Sequence, residues 1–383
     1  MSSQRPKQGP PSRSLLETYF RLAPVTIPFY AILVACLVGS LFILGAGANP
    51  LVAYGALLDG AFGSPDRIAS TVARSTPFII GALAVALGFK AGLFNIGAEG
   101  QLLLGALTAA WVGTWSWLAG TPPLLAVPFV LVAGVVGGMV WGFIPGVLKA
   151  RTGAHEVITT IMLNAIALGI ASFLITSRDP ALLIDEGAST PHTREVAASV
   201  RLPTLVEGTG LHLGIALALA LCAATWFVLQ RTTPGFEIRT VGVSREAARY
   251  AGMRVDRTVI VVMTASGALA GIAGAAEVIG SGSGYLTPGA FTNIGFDSIA
   301  IALLARGNPL AVVPAALLWG ALLSGAPLMQ VEADLSVNLV RIVQALIILF
   351  VAADAIIRLL FRIRAPRGVD VGEPAVFARG WGG

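Results

Sequence analysis

The sequence predicts an all-α, polytopic transmembrane helical bundle of about ten spans, and three observations carry that expectation. Of the 383 residues, 56% are hydrophobic and only 12% are charged, about half the charged share of an ordinary soluble domain. The mean hydropathy is +0.82. The apolar residues fall in long runs, and the basic residues sit in the short connections between them. A soluble core would leave too few charged side chains to cover its surface, whereas lipid accepts apolar side chains on the outside.

Crossing the hydrocarbon core takes roughly 20 apolar residues per helix. Such runs lie near 25–47, 75–94, 97–118, 124–148, 157–177, 209–229, 257–280, 289–305, 310–329 and 337–357. Residues 1–23 are polar, Pro-rich and basic, without a convincing small-residue cleavage site, so the first helix is expected to stay uncleaved. Residues 24–360 form the transmembrane region, interrupted by connections at 178–208 and 230–257, and 361–383 form a tail. With the N-terminus inside, 19 of the 25 Lys and Arg residues fall on the inner side, including Lys90, Lys149, Arg151 and six arginines between 231 and 257. That bias makes both termini cytoplasmic, 230–257 an inner loop and the Pro-containing 178–208 an outer one. The net charge of +5 is therefore a topology signal, and no nucleic-acid partner is expected. Cys36 and Cys222 fall inside apolar runs and read as small core residues.

The stretch Asn95-Ile96-Gly97-Ala98-Glu99 recurs in outline as Asn293-Ile294-Gly295-Phe296-Asp297. Each is preceded by a helix containing Gly-Ala-Leu-Ala, at 81–84 and 267–270. Two readings stand side by side: chance similarity in Gly/Ala-rich sequence, or an inverted 5+5 repeat in which the two acidic turns approach the membrane from opposite sides. Glycines at 134, 138, 142 and 146, and at 267 and 271, mark faces for close helix packing.

Chemistry within the chain is constrained by what is missing. None of the lysines, Lys7, Lys90 and Lys149, follows a glycine, so no phosphate-binding loop of the G-x-x-x-x-G-K-[ST] type is present. His155-Glu156 opens like a zinc-protease motif, but Thr159 stands where the second histidine belongs, and no metal site is expected. No nucleophile elbow is found, so the chain does not read as an enzyme. Ionisable groups at membrane depth are expensive and point to function. Lys90, Glu99, Glu277 and Asp297 are the candidates, with Lys90 and Glu99 also readable as a mutual contact. The amides Asn95, Gln101, Asn164 and Asn293 suit a hydroxyl-rich uncharged solute, and Phe94, with Phe89, Phe291 and Phe296, could stack on a planar group.

The inner loop carries a local helix signal. Ser244 suits an N-cap, Glu246 the positive first turn, Ala247 and Ala248 the body, and Gly252 a left-handed terminator. A helix of about two turns is expected, a handle for a soluble partner or an ordinary basic loop beside anionic lipid.

Residues Gly92 to Gln101, reading GLFNIGAEGQ, closely resemble the signature of bacterial nucleoside-type ABC importer permeases, relatives of the ribose and branched-chain amino-acid permeases. Further similarity runs through Glu156 to Asn164, and Glu246 to Gly252 is similar to the E-A-A-x-x-x-G coupling motif of importer permeases. His155 departs from the pattern, where Asn is more typical. The resemblance implies a subunit of the cytoplasmic (inner) membrane that holds no cofactor. It also implies a second permease in a heterodimer, a cytoplasmic ATPase using ATP and Mg, and an extracytoplasmic solute-binding lipoprotein that delivers a small polar solute. In that setting Ser244, Glu246, Ala247, Ala248 and Gly252 would couple to the ATPase. Phe94, Asn95, Glu99, Gln101, Asn164, Glu277, Asn293 and Asp297 would line the path. Nucleosides are the leading solute; ribose or another simple sugar, and an ion-coupled secondary transporter using the membrane carboxylates, are the alternatives.

Overall fold

A computed structural model describes residues 15–352 except Ser281, so the extreme N-terminal segment and the tail at 361–383 lie outside the described residues. The chain divides into two compact units. In the smaller, α1 (Leu15–Gly45) packs on α13 (Val337–Ala352), with Ala31 and Val34 enclosed by Tyr30, Val38 and Phe350. The larger runs from Tyr54 to Met329 among the described residues and holds both acidic turns.

Each expected span corresponds to a helix, with shifted ends. After α1 come α2 (Pro50–Phe62), α3 (Pro65–Lys90), α4 (Ala98–Gly113), α5 (Pro123–Thr152) and α6 (Glu156–Thr176). The second half continues with α7 (Gly214–Arg231), α8 (Thr233–Val243), α9 (Arg245–Tyr250), α10 (Val255–Gly280), α11 (Ile294–Leu304) and α12 (Pro309–Glu332). Among the described residues, α3, α5, α6, α7, α10 and α12 are each long and apolar enough to cross a membrane. The helices α4 and α11 are shorter, at 16 and 11 residues, and each opens on its acidic turn, with Glu99 and Asp297 in the first helical turn. Helix α2 was not expected, since its 13 residues fall short of a span.

Burial sorts the helices into a centre and a more exposed ring. In α3, 83% of the most apolar window is buried, and in α10 61%, against 22% for α5 and 28% for α6 and α7. The exposed side chains of α5 and α6, such as Val136, Val140, Ile158 and Ile166, are apolar, as a hydrocarbon solvent allows.

The glycine faces are buried, as expected, and they meet each other. A Cβ placed on Gly138 would lie 2.7 Å from Gly271 Cα and closer still to the Gly267 carbonyl oxygen. One on Gly142 would lie 3.0 Å from Gly267 Cα. On its other side Gly271 meets Gly105 of α4, so that α4, α5 and α10 converge with no side chain between them. Close backbone approach of this kind replaces the hydrophobic force that lipid does not supply.

The connection between α6 and α7 is more ordered than a plain loop. It carries a hairpin of β1 (Thr204–Val206) and β2 (Leu211–His212). It is also zipped to the end of α10 and the α10–α11 connection: Thr193 N–H donates to the Leu286 carbonyl at 2.9 Å, Val196 N–H to Gly284 at 2.9 Å, and Leu202 N–H to Ile279 at 2.8 Å. The His192 and Tyr285 rings stack with centroids 4.3 Å apart.

Candidate functional site

The first acidic turn is a break between α3 and α4 that the protein fills with its own polar groups. Helix α3 stops at Lys90, Gly92 reverses the chain at φ +67, and Leu93 N–H returns to the Gly88 carbonyl at 3.0 Å. Asn95, fully buried, accepts from Gly97 N–H at 3.0 Å and donates to Gln101 Oε1 at 2.8 Å and Ser266 Oγ at 2.7 Å. Gln101 Nε2 donates back to Asn95 Oδ1 at 3.2 Å, and Ser266 donates to the Ala84 carbonyl at 2.6 Å. From α6, Asn164 accepts from Gly100 N–H at 2.9 Å and donates to the Ile96 carbonyl at 2.8 Å. The Gly97 and Gly100 N–H groups are donors that the start of α4 leaves orphaned, and in lipid each would cost several kcal/mol unpaired. Of the four amides expected to face solute, Asn95 and Gln101 are thus bonded to each other, and Asn95 and Asn164 to the backbone of the turn.

Glu99 does not cap its own helix. Its carboxylate accepts from Asn293 N–H and Gly295 N–H, each at 2.6 Å, and from Phe296 N–H at 3.4 Å. It therefore closes the N-terminus of α11, where the helix dipole favours a negative charge. Asn293 enables this by taking a left-handed conformation at φ +74. Gly295 is required for contact, because a Cβ there would lie 2.8 Å from the Ala98 carbonyl carbon and closer to the Glu99 backbone. The expected contact between Lys90 and Glu99 is corrected: Glu99 makes no ion pair among the described residues, and its oxygens are taken by α11.

Asp297, in the first turn of α11, stands within electrostatic reach of Glu99 and beside the Trp319 indole. The Trp319 ring tilts against Phe78 at 6.2 Å. Phe94 pairs with Phe89 at 4.9 Å, and Phe296 is 43% exposed. Glu277, on α10, makes no hydrogen bond or ion pair among the described residues and is not joined to this cluster. The structure therefore brings Glu99, Asn293 and Asp297 together, ties Asn95, Gln101 and Asn164 behind them, and leaves Glu277 apart. Ser266, Phe78 and Trp319 were not foreseen. Ser266 had a signal, a lone hydroxyl inside an apolar span; Phe78 and Trp319 had none.

The expected short helix of the 230–257 connection is present as α9. Ser244 Oγ accepts from Ala247 N–H at 3.2 Å, and Gly252 at φ +80 ends the helix, with Met253 N–H returning to the Ala248 carbonyl at 3.0 Å. Helix α8 precedes it, capped by Thr232, whose Oγ1 accepts from Gly235 N–H at 3.2 Å. Ala248 is fully buried in a cluster with Leu87, Ala91, Leu93, Val241, Val255 and Met263. Glu246, Ala247 and Arg249 face outward, and Tyr250 is 98% exposed. Nearby, Lys149 Nζ meets Glu156 at 2.8 Å across the α5–α6 turn, a largely buried ion pair, and Arg245 of α9 lies within electrostatic reach of the same carboxylate. The resemblance to a zinc-protease opening at Glu156 thus ends in a structural pairing.

A helical membrane protein built around two facing broken turns, with a rooted helix exposed at one end, is the class of a multi-pass transport permease. Residues 67–352 match the family described as branched-chain amino acid transport system / permease component, and the chain belongs to it. The guanosine ABC transporter permease protein NupP of Bacillus subtilis is 42% identical over 353 residues, 91% of this chain and 99% of its own length. The nucleoside ABC transporter permease protein NupB of Lactococcus lactis is 36% identical, covering 88% of this chain and 93% of that one. The glucose ABC transporter permease protein TsgB13 of Haloferax volcanii is 34% identical, covering 84% and 86%.

Proposed function

We propose that this chain is a nucleoside-translocating permease subunit of an ATP-driven importer in the cytoplasmic membrane. The observation that carries the reading is near full-length relatedness to two permeases named for guanosine and for nucleosides. The chain itself hydrolyses nothing; ATP and Mg are used by a separate cytoplasmic ATPase that grips α9. A second permease completes the pathway, and an extracytoplasmic binding lipoprotein delivers the solute. The face formed by Asn293, Phe296 and Asp297 lines the path on this chain's side, with Phe94 and Glu277 further along it. The Asn95, Gln101 and Asn164 amides hold that face in position, and Glu99 ties it to α4. The exposed Asn293 side-chain amide and the aromatic ring of Phe296 beside it suit sugar hydroxyls and a planar base. ATP binding and hydrolysis shift the population between two packings of the same helices.

The relatedness to TsgB13 favours a simple sugar as the second reading. Uptake of radiolabelled uridine and adenosine, with ribose, glucose and leucine as controls, decides between them in cells expressing the chain with its partners. ATP-dependent nucleoside uptake is expected. Sugar uptake instead replaces the solute, and uptake by this chain alone on an ion gradient overturns the ATP-driven reading.

A further inference from the structure

We propose that Gly242 is a positioning residue for transport: it passes movement of the α8–α9 unit to the first acidic turn through a direct backbone contact with Lys90–Gly92. The inference rests on the coupling role proposed for α9 and adds the route by which that role reaches the solute path. A Cβ on Gly242 would lie 2.9 Å from the Lys90 carbonyl carbon and 3.1 Å from that of Ala91, and nearer still to the Lys90 oxygen. The contact is reciprocal, since a Cβ on Gly92 would lie 3.1 Å from the Gly242 carbonyl oxygen and 3.3 Å from its Cα. No side chain stands between the two segments, so none can rotate to absorb a displacement, and close-packed atoms transmit it.

Two further observations make this contact a route rather than a local fit. Ile238 and Val241 of α8 and Ala248 of α9 share one buried cluster with Leu87, Ala91 and Leu93, so the exposed handle and the turn have a common root. The turn then leads without a flexible stretch to Glu99. Leu93 is 1% exposed, Asn95 is held by Gln101 and Ser266, and Glu99 holds the N-terminus of α11. The handle and the two facing turns therefore form one mechanical chain, with Gly242 at the link that a single methyl group would displace.

The test uses the complete importer in proteoliposomes, with its ATPase, second permease and binding protein, and reads solute taken up per ATP hydrolysed. Gly242→Ala is expected to lower that ratio at least fivefold in assembled complexes. Gly325→Ala is the control, an equally tight glycine on α12 whose Cβ would lie 2.9 Å from the Leu57 carbonyl carbon. It is expected to reduce the yield of complex and leave the ratio unchanged. A wild-type ratio in Gly242→Ala overturns the proposal. Should that variant fail to assemble, hydrogen exchange on the wild-type complex decides. On ATP binding, amides at 88–97 and 240–252 are expected to change protection together, and a response confined to 244–252 overturns the route. A wild-type complex that takes up no solute with ATP removes the importer reading itself, which is a separate result from any behaviour of Gly242.

Discussion

Glu99→Gln is expected to lower solute uptake at least tenfold while the protein still inserts and assembles. The carboxylate receives three backbone N–H groups from Asn293, Gly295 and Phe296, and only an anion offers acceptors on both oxygens. A glutamine keeps one acceptor and turns an N–H donor toward another donor. Losing a hydrogen bond to a charged group costs about 2 kcal/mol, and at 1.4 kcal/mol per decade that is roughly a thirtyfold loss in occupancy of the closed contact. Glu99→Ala should be at least as damaging. Uptake per assembled complex in proteoliposomes is the measurement. A value for Glu99→Gln within twofold of wild type would mean that the contact between the two turns does not belong to the transport cycle.

Gly138→Leu should have the largest effect on stability. Its new side chain would enter a space already filled by the backbone of Gly267 and Gly271. Overpacking costs about 1–3 kcal/mol where side chains can yield, and here the obstructing atoms are carbonyls and Cα atoms that move only with the whole helix. The expected result is loss of folded protein from detergent extracts, or an unfolding midpoint lowered by roughly 5 °C or more. Gly169→Ala is the matched control, since nothing lies within 4 Å of a Cβ there, and it should leave the midpoint unchanged or slightly raised. Equal behaviour of the two variants would show that the α5–α10 contact is not what holds the bundle together.

The features legible in the sequence are those written locally. Ser244 and Gly252 announce a short helix within nine positions of chain, and the helix between them is there. The spacing of Gly134, Gly138 and Gly142 marks a packing face because a helix repeats its faces every three to four residues, and that face meets Gly267 and Gly271. Helix α8 has comparable signals in Thr232 and Pro234, within a stretch whose composition is that of a basic loop.

What sequence could not supply was partnership across long separations. Glu99 and Asn293 stand 194 positions apart, and nothing in a single sequence says whether a membrane carboxylate meets a lysine, a solute or a helix end. The same holds for Asn95 and Asn164. An amide offers the same donors and acceptors to a sugar as to a backbone, and only the fold reveals that theirs are already engaged. The zipper between Thr193 and Leu286 was equally hidden, because it joins two irregular segments without periodicity.

The meeting of α4, α5 and α10 at Gly271 bears on how the molecule can move. Three helices touching backbone to backbone have no lubricating layer of side chains, so one cannot slide past another without first separating. They are a stator. Motion is left to whatever is fastened to that block at few points, and α11, joined to α4 at the single glycine Gly295 and by the Glu99 carboxylate, is fastened in that way. Spin-label distances among α4, α5 and α10 should then stay fixed between nucleotide states while distances from α4 to α11 change. A shift within the trio would make the block itself the moving part.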